Sequence, residues 1–251
     1  MKMTFDQYIN NPMGVKNAVF SGREMYRELY MKKLDTILVR EVGKVKYRLY
    51  KNKDKFYVYM KIPSEVVPDF YYDTVIEFFT DNVAVKASNT LKDYHVKFYS
   101  NDPSFVFTFA HAMLKNDLFI KELVPRMSKE AVKKVAKEKN PKMEIGYVKS
   151  IYFTYLLMKN YSLFNKIVFN NESQRFDLKE LLSLIEHADI KIEKRQQAQR
   201  DLNKEKKINK KKEKNIDRNM SSSTVNTNLS NKIGKTKTVK KTGRVNRIKR
   251  I

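Results

Sequence analysis

The chain has 251 residues, 52 of them Lys or Arg against 28 Asp or Glu, for a formal net charge of +24. It has no Cys, which excludes disulfides, thiolate metal sites and cysteine nucleophiles and fits a reducing compartment. The amino terminus lacks the apolar run of a signal peptide, and Lys159, Asn160, Asn165 and Lys166 interrupt the best membrane candidate, Ile151–Phe169, so no membrane segment is expected.

The first 34 residues read as an extended lead into one helix. Asn10-Asn11-Pro12-Met13-Gly14 is a turn cluster. After a Ser21 cap, Met25 and Leu29 recur at helical spacing through Leu34. A sheet follows. Thr36–Arg40 is short, apolar and β-branched. Val45–Lys51 alternates Val45, Tyr47 and Leu49 against Lys46, Arg48 and Tyr50. Phe56–Ile62 alternates Phe56, Val58, Met60 and Ile62 against Tyr57, Tyr59 and Lys61. Asn52-Lys53-Asp54 suits a hairpin turn, so these strands are expected to form a meander with one face wet. Tyr71–Thr80, a short Val83–Lys86 after the turn Asp81-Asn82, and Tyr94–Ser100 complete five or six strands. Their closeness in sequence argues for an antiparallel sheet rather than βαβ units.

After residue 100 the apolar period changes from two to 3.6. Asp102 followed by Pro103 is a helix start, because Asp accepts from orphan backbone N–H groups and Pro fits the first helical position. Phe105, Val106, Phe109, Ala110, Met113 and Leu114 make that helix apolar over a wide arc, with a break or kink at Asn116 and Asp117 before Leu118–Leu123. A basic helix is expected from Ser128 to about Lys139, carrying Lys129, Lys133, Lys134, Lys137 and Lys139. A second apolar helix spans Ile145–Lys159. A last helix starts near Asp177 with Leu178, Leu181, Leu182 and Ile185 on one face, and extends into the charged Lys191–Lys214 stretch. Beyond about Arg218 the chain is Ser/Asn/Thr-rich and then basic, the composition of disorder.

Charge is concentrated at that end. From Lys191 to Ile251 there are 21 basic residues against five acidic ones, while the preceding 190 hold 31 against 23. The chain thus divides into a folded α+β domain, 1–190, and a basic tail, 191–251, that is partly helical and then disordered. The tail's two clusters, Lys204–Lys214 and Lys235–Arg250, point to phosphate binding by counterion release, which depends on charge density. The residues expected to act as point charges are Lys206, Lys207, Lys210, Lys211, Lys212, Lys240, Lys241, Arg244, Arg247, Lys249 and Arg250. No aromatic residue follows Phe176, so stacking on single-stranded bases is not expected from the tail. The expected partner is nucleic acid, bound without sequence preference. DNA and RNA are both open, as is an acidic protein.

Little else points to chemistry. His95 alternates with apolar residues and is expected to face water, His111 lies in an apolar helix, and with His187 they form no metal-ligand spacing. Asp69, Asp73 and Glu77 come nearest to a carboxylate cluster. Residues four apart share a strand face, so Asp73 and Glu77 are expected on a wet face of the sheet opposite basic strands. The glycines are isolated, and neither a phosphate loop nor a dinucleotide fingerprint is present. No enzymatic activity, metal or cofactor is expected.

Several stretches together carry a resemblance: Asn11-Pro-Met-Gly14, Ile62-Pro-Ser-Glu-Val-Val67 with Phe70-Tyr-Tyr-Asp73, Ser100-Asn-Asp-Pro103 with Phe105-Val-Phe-Thr108, and Lys139-Asn-Pro141 with Gly146-Tyr-Val-Lys149. Over roughly residues 5–160 the chain resembles a group of small, largely uncharacterised proteins of tailed bacteriophages of low-GC hosts. The resemblance implies a phage product, virion-associated or assembly-related, located in the host cytoplasm or the virion and docking onto other phage proteins. It transfers no catalytic motif. The other readings are an intracellular regulatory or replication accessory protein that binds nucleic acid through the body, and a host-interaction protein.

Overall fold

The computed structural model describes residues 1–10, 45–64, 66–133, 135, 140–143, 145–146 and 148–223. The expected helix ending at Leu34 and the expected strand Thr36–Arg40 lie outside them. Two units are distinguished, Met1–Leu202 and Asn203–Ile251.

Before the first strand, the Thr4-Phe5-Asp6-Gln7 stretch forms a capping box, an element absent from the reading of the lead as extended. The Gln7 N–H donates to Thr4 Oγ1 at 3.2 Å and the Thr4 N–H donates to Gln7 Oε1 at 2.9 Å, two orphan donors satisfied reciprocally. The helix they open, α1 (Phe5–Asn10), buries Phe5, Tyr8 and Ile9.

Three strands follow: β1 (Tyr47–Asn52), β2 (Lys55–Pro63) and β3 (Tyr71–Phe79). Lys53-Asp54 turns the first hairpin, with Lys53 at φ 52°. The expected strand at Val83–Lys86 is instead a helix, α2 (Val83–Ala87). Asn82 decides this, since its Oδ1 accepts from the N–H groups of Ala84 at 2.9 Å and Val85 at 3.4 Å. β4 (His95–Ser100) completes the antiparallel part.

The sheet is mixed, not antiparallel throughout. Its order is β4-β3-β2-β1-β5, and β5 (Gln174–Arg175) runs parallel to β1. Two exposed polar residues carry no alternation; just past them the Phe176 N–H donates to the Lys51 carbonyl at 2.9 Å.

The Asp102-Pro103 start holds, with Asp102 Oδ1 accepting from the Ser104 N–H at 2.7 Å. The helix then widens into a π turn, Phe105–Phe109, before α3 (Ala110–Lys115). This insertion turns Phe105, Val106 and Phe109 inward and leaves Phe107 exposed. The Thr108 carbonyl, within the widened turn, accepts from Asn140 Nδ2 at 3.1 Å. Asn116 and Asp117 end α3, Asp117 at φ 57°. The expected helix over Leu118–Leu123 is first a bridge, Phe119 lying beside Phe98, and then a 3-10 helix, Lys121–Arg126. The described part of the basic helix is α4 (Lys129–Lys133); Lys134, Lys137 and Lys139 lie outside the described residues.

The second apolar helix, α5 (Lys149–Asn160), starts four residues later than its periodicity implies. Gly146 sits against the Phe109 ring, where an added Cβ would lie 2.0 Å from Cε1, and its carbonyl accepts from Tyr8 Oη at 2.7 Å. α6 (Lys166–Glu172) and α7 (Leu178–Leu184) follow, N-capped by Asn165 and Asp177. The long last helix is α8 (Ala188–Ser223).

Helices cover both faces of the sheet, so the expectation of one wet face is overturned. On one face Phe98 meets Tyr8 at 4.4 Å and Phe5 at 5.4 Å between ring centroids, and Phe56 meets Phe169 at 5.4 Å. Tyr155 of α5 closes that layer on Phe5. The other face carries Tyr50, Tyr57, Tyr59, Asp73, Glu77 and Tyr99 in register. Phe176 stacks on Tyr57 at 4.1 Å and Phe119 packs edge-on against Tyr99, and the 3-10 helix and α7 lie over them. Each fully buried side chain of this size contributes roughly 1.5–3 kcal/mol by leaving water, which is why a tyrosine-bearing face draws a second helical layer.

Candidate nucleic-acid interface

The single helix expected from Asp177 into the charged stretch is broken. Ile185 is extended at ψ 118°, and the chain restarts at α8, where His187 Nδ1 accepts from the Asp189 N–H at 3.3 Å. The first turns of α8 belong to the body. Ala188 and Ile192 are buried, Lys191 Nζ lies 4.7 Å from the centre of the Phe70 ring, and Lys191 and Lys194 both pair with Glu186. Burial, the largest single effect, raises the Glu186 carboxyl, but the two lysines together outweigh it and hold the group below its ordinary range.

From Asn203 to Ile216 every side chain of α8 is exposed. Over this stretch, about 21 Å of helix, there are seven Lys against Glu205 and Glu213. Lys206, Lys207, Lys210, Lys211 and Lys212 all stand here, in helical order and in water. Lys206–Lys210, Lys207–Lys211 and Lys210–Lys214 are like-charge pairs at i,i+4, each disfavouring the helix by roughly 0.2–0.5 kcal/mol. An anion laid along the helix relieves them together. The remaining residues named from the sequence, Lys240, Lys241, Arg244, Arg247, Lys249 and Arg250, lie outside the described residues. Lys204 and Lys214 belong to the same surface, and their i+3 and i+4 spacing to the others was the available signal.

The carboxylates are not on a wet face. Asp73 and Glu77 are each 1% exposed. Asp73 Oδ1 accepts from Tyr59 Oη at 2.8 Å, and Oδ2 accepts from Asn101 Nδ2 at 2.8 Å and from the Glu186 N–H at 3.2 Å. Lys61 Nζ stands 3.7 Å from Oδ1. Asn101 also accepts the Asp73 N–H at 2.8 Å, so one carboxylate joins β2, β3, the end of β4 and the α7–α8 junction. Glu77 Oε1 pairs with Lys55 Nζ at 3.1 Å. Burial first, then the Asp73 charge, raises the Tyr59 hydroxyl well above its ordinary value; burial and then Glu77 do the same for Tyr57. These phenols stay protonated and act as donors, and Asp73 is engaged on both oxygens by the fold itself. Asp69 lies apart in a turn, at φ 57°.

The histidines do not converge. His111 Nδ1 and the Val132 carbonyl are 2.7 Å apart, a bond between α3 and α4. His95, expected in water, is half-buried against the Phe79 ring at 5.7 Å, with Nδ1 enclosed and unpartnered. Among the described residues, no cluster of His, Asp and Glu could hold a metal ion, and no helix is long and apolar enough to cross a membrane. No family model, no curated protein and no solved structure matches the chain.

Proposed function

We propose that the chain is a non-enzymatic nucleic-acid-contacting protein of bacteriophage type, virion-associated or assembly-related, whose body docks onto other protein. The observation that carries the nucleic-acid part is the exposed stretch Asn203–Ile216, which holds seven Lys against two Glu with no aromatic residue. Such a surface binds phosphates by counterion release and does not read bases by stacking. The phage assignment rests on the stretches between residues 5 and 160 described above. The non-enzymatic assignment is supported by the buried Asp73 carboxylate, whose hydrogen bonds hold elements of the body together.

The test is anisotropy binding of full-length protein to duplex DNA and single-stranded RNA between about 50 and 200 mM salt. Wild type is compared with a variant carrying Gln at Lys206, Lys207, Lys210, Lys211 and Lys212. If all five meet phosphates, the slope of log affinity on log salt falls by about 4.5 on duplex DNA. An unchanged slope would take the site off this stretch, to the Lys235–Arg250 cluster or the body. Mass spectrometry of purified particles tests the virion part, and repeated absence from particles would remove it.

A further inference from the structure

Resting on that reading, the lysines of α8 carry more information than their number. On a helix of 3.6 residues per turn, Lys206, Lys210, Lys214, Lys207, Lys211 and Lys204 fall in that order across an arc of about 160°. The rest of the circumference holds both acids, Glu205 and Glu213, and the exposed Ile208 and Ile216. Charge is therefore sorted by face over Asn203–Ile216, with Lys212 the lysine outside the arc. A tail that works by charge density alone needs no such sorting.

We infer that this lysine face enters the major groove of double-helical DNA. A helix with its side chains is about 10–12 Å across, and the B-DNA major groove is about 12 Å wide. Lys206 and Lys210 at one edge of the arc, and Lys204 and Lys211 at the other, reach the phosphates of the two groove walls. Lys207 and Lys214, at the centre, face the groove floor, where guanine presents N7 and O6. The A-form groove of duplex RNA is deep and narrow, so the same helix cannot enter it. Without aromatic residues, single strands gain only the charge term.

The experiment uses full-length protein with duplex DNA, duplex RNA of the same sequence and the single DNA strand. Binding is read by anisotropy, and groove occupancy by protection of guanine N7 from dimethyl sulfate. The expected result is at least tenfold preference for duplex DNA, with N7 protected. Ile208→Pro keeps every charge but interrupts the helix at an exposed position; it should lower duplex DNA affinity at least tenfold and abolish N7 protection. A triple Gln variant at the wall lysines Lys206, Lys210 and Lys211 should lower the salt slope by about 2.7. The charge-matched variant at the exposed body lysines Lys53, Lys92 and Lys142 should leave N7 protection intact. Equal affinity for duplex RNA, unprotected N7, or Ile208→Pro binding like wild type overturns groove entry while the nucleic-acid reading stands. Failure of wild type to bind any of the three polymers overturns both.

Discussion

Replacing Asp73 by Ala should be among the most damaging single changes in the body, and replacing it by Asn among the mildest at a site so deeply buried. The carboxylate is 1% exposed and accepts from Tyr59 Oη, Asn101 Nδ2 and the Glu186 N–H at 2.8, 2.8 and 3.2 Å. In Asp73→Ala the Tyr59 hydroxyl can turn to the Leu184 carbonyl, already 3.5 Å away, but one Asn101 N–H and the Glu186 N–H lose their acceptor. At about 2 kcal/mol for each orphaned donor, the loss is about 4 kcal/mol. In Asp73→Asn the amide oxygen can occupy the Oδ2 position and keep both donors. The amide nitrogen then donates to Tyr59 Oη, a hydroxyl that accepts as readily as it donates. What remains lost is attraction to Lys61, whose side chain is 41% exposed, and screening limits that to about 1 kcal/mol or less. Urea denaturation followed by far-UV circular dichroism measures both variants. For a folded unit of this size the thermal shifts are about 8–16 °C for Ala and no more than about 2–4 °C for Asn. An Asn variant as unstable as the Ala variant would show that charge, not hydrogen-bond geometry, holds the junction. An Ala variant within a few degrees of wild type would sink the reasoning altogether.

Two further outcomes follow from the packing and the electrostatics. Gly146→Ala places a methyl 2.0 Å from the Phe109 ring and should lose about 1–3 kcal/mol in urea melts; a midpoint equal to wild type would mean the ring moves aside freely. The His95 pKa is lowered by burial first and by Lys2 second, against Asp81. Folding therefore favours the neutral ring, and its contribution is fully present above the unfolded value of about 6.5 and is lost as pH falls from there through the lowered folded value. Between pH values of about 7.5 and 5, wild type should lose more stability than His95→Gln. Parallel pH profiles would remove His95 as the cause.

Local signals reached the elements that follow from a residue's near neighbours. The alternation in Phe56–Ile62, the Asp102-Pro103 start, the break at Asn116-Asp117 and the caps at Asp177 and Asn82 all act within a few residues. Asn82 reads in sequence as half of a turn and the apolar run after it as a strand, because a short apolar run has no period of its own. The capping box at Thr4 is local too, a Thr followed by a Gln three residues on.

The mixed sheet and the covered second face belong to another class. Gln174 and Arg175 pair with β1 only because α6 delivers them to that edge, and nothing in two polar residues encodes the contact. Tyr57 and Tyr59 look amphipathic in sequence, and their burial depends on Phe176 and α7, more than a hundred residues away.

The sequence by itself determined the excess of positive charge toward the carboxyl end and the absence of aromatic residues there, since composition does not depend on conformation. It also determined the β-to-α change of period near residue 100, because strand and helix periods are properties of the local backbone. Only the tertiary structure decided that Asp73 is a buried junction rather than a surface acid, because burial is set by what packs over a residue from elsewhere in the chain. The helical path through Asn203–Ile216 in turn sorted lysines spread along the sequence onto one face, converting a count of charges into a surface with a direction.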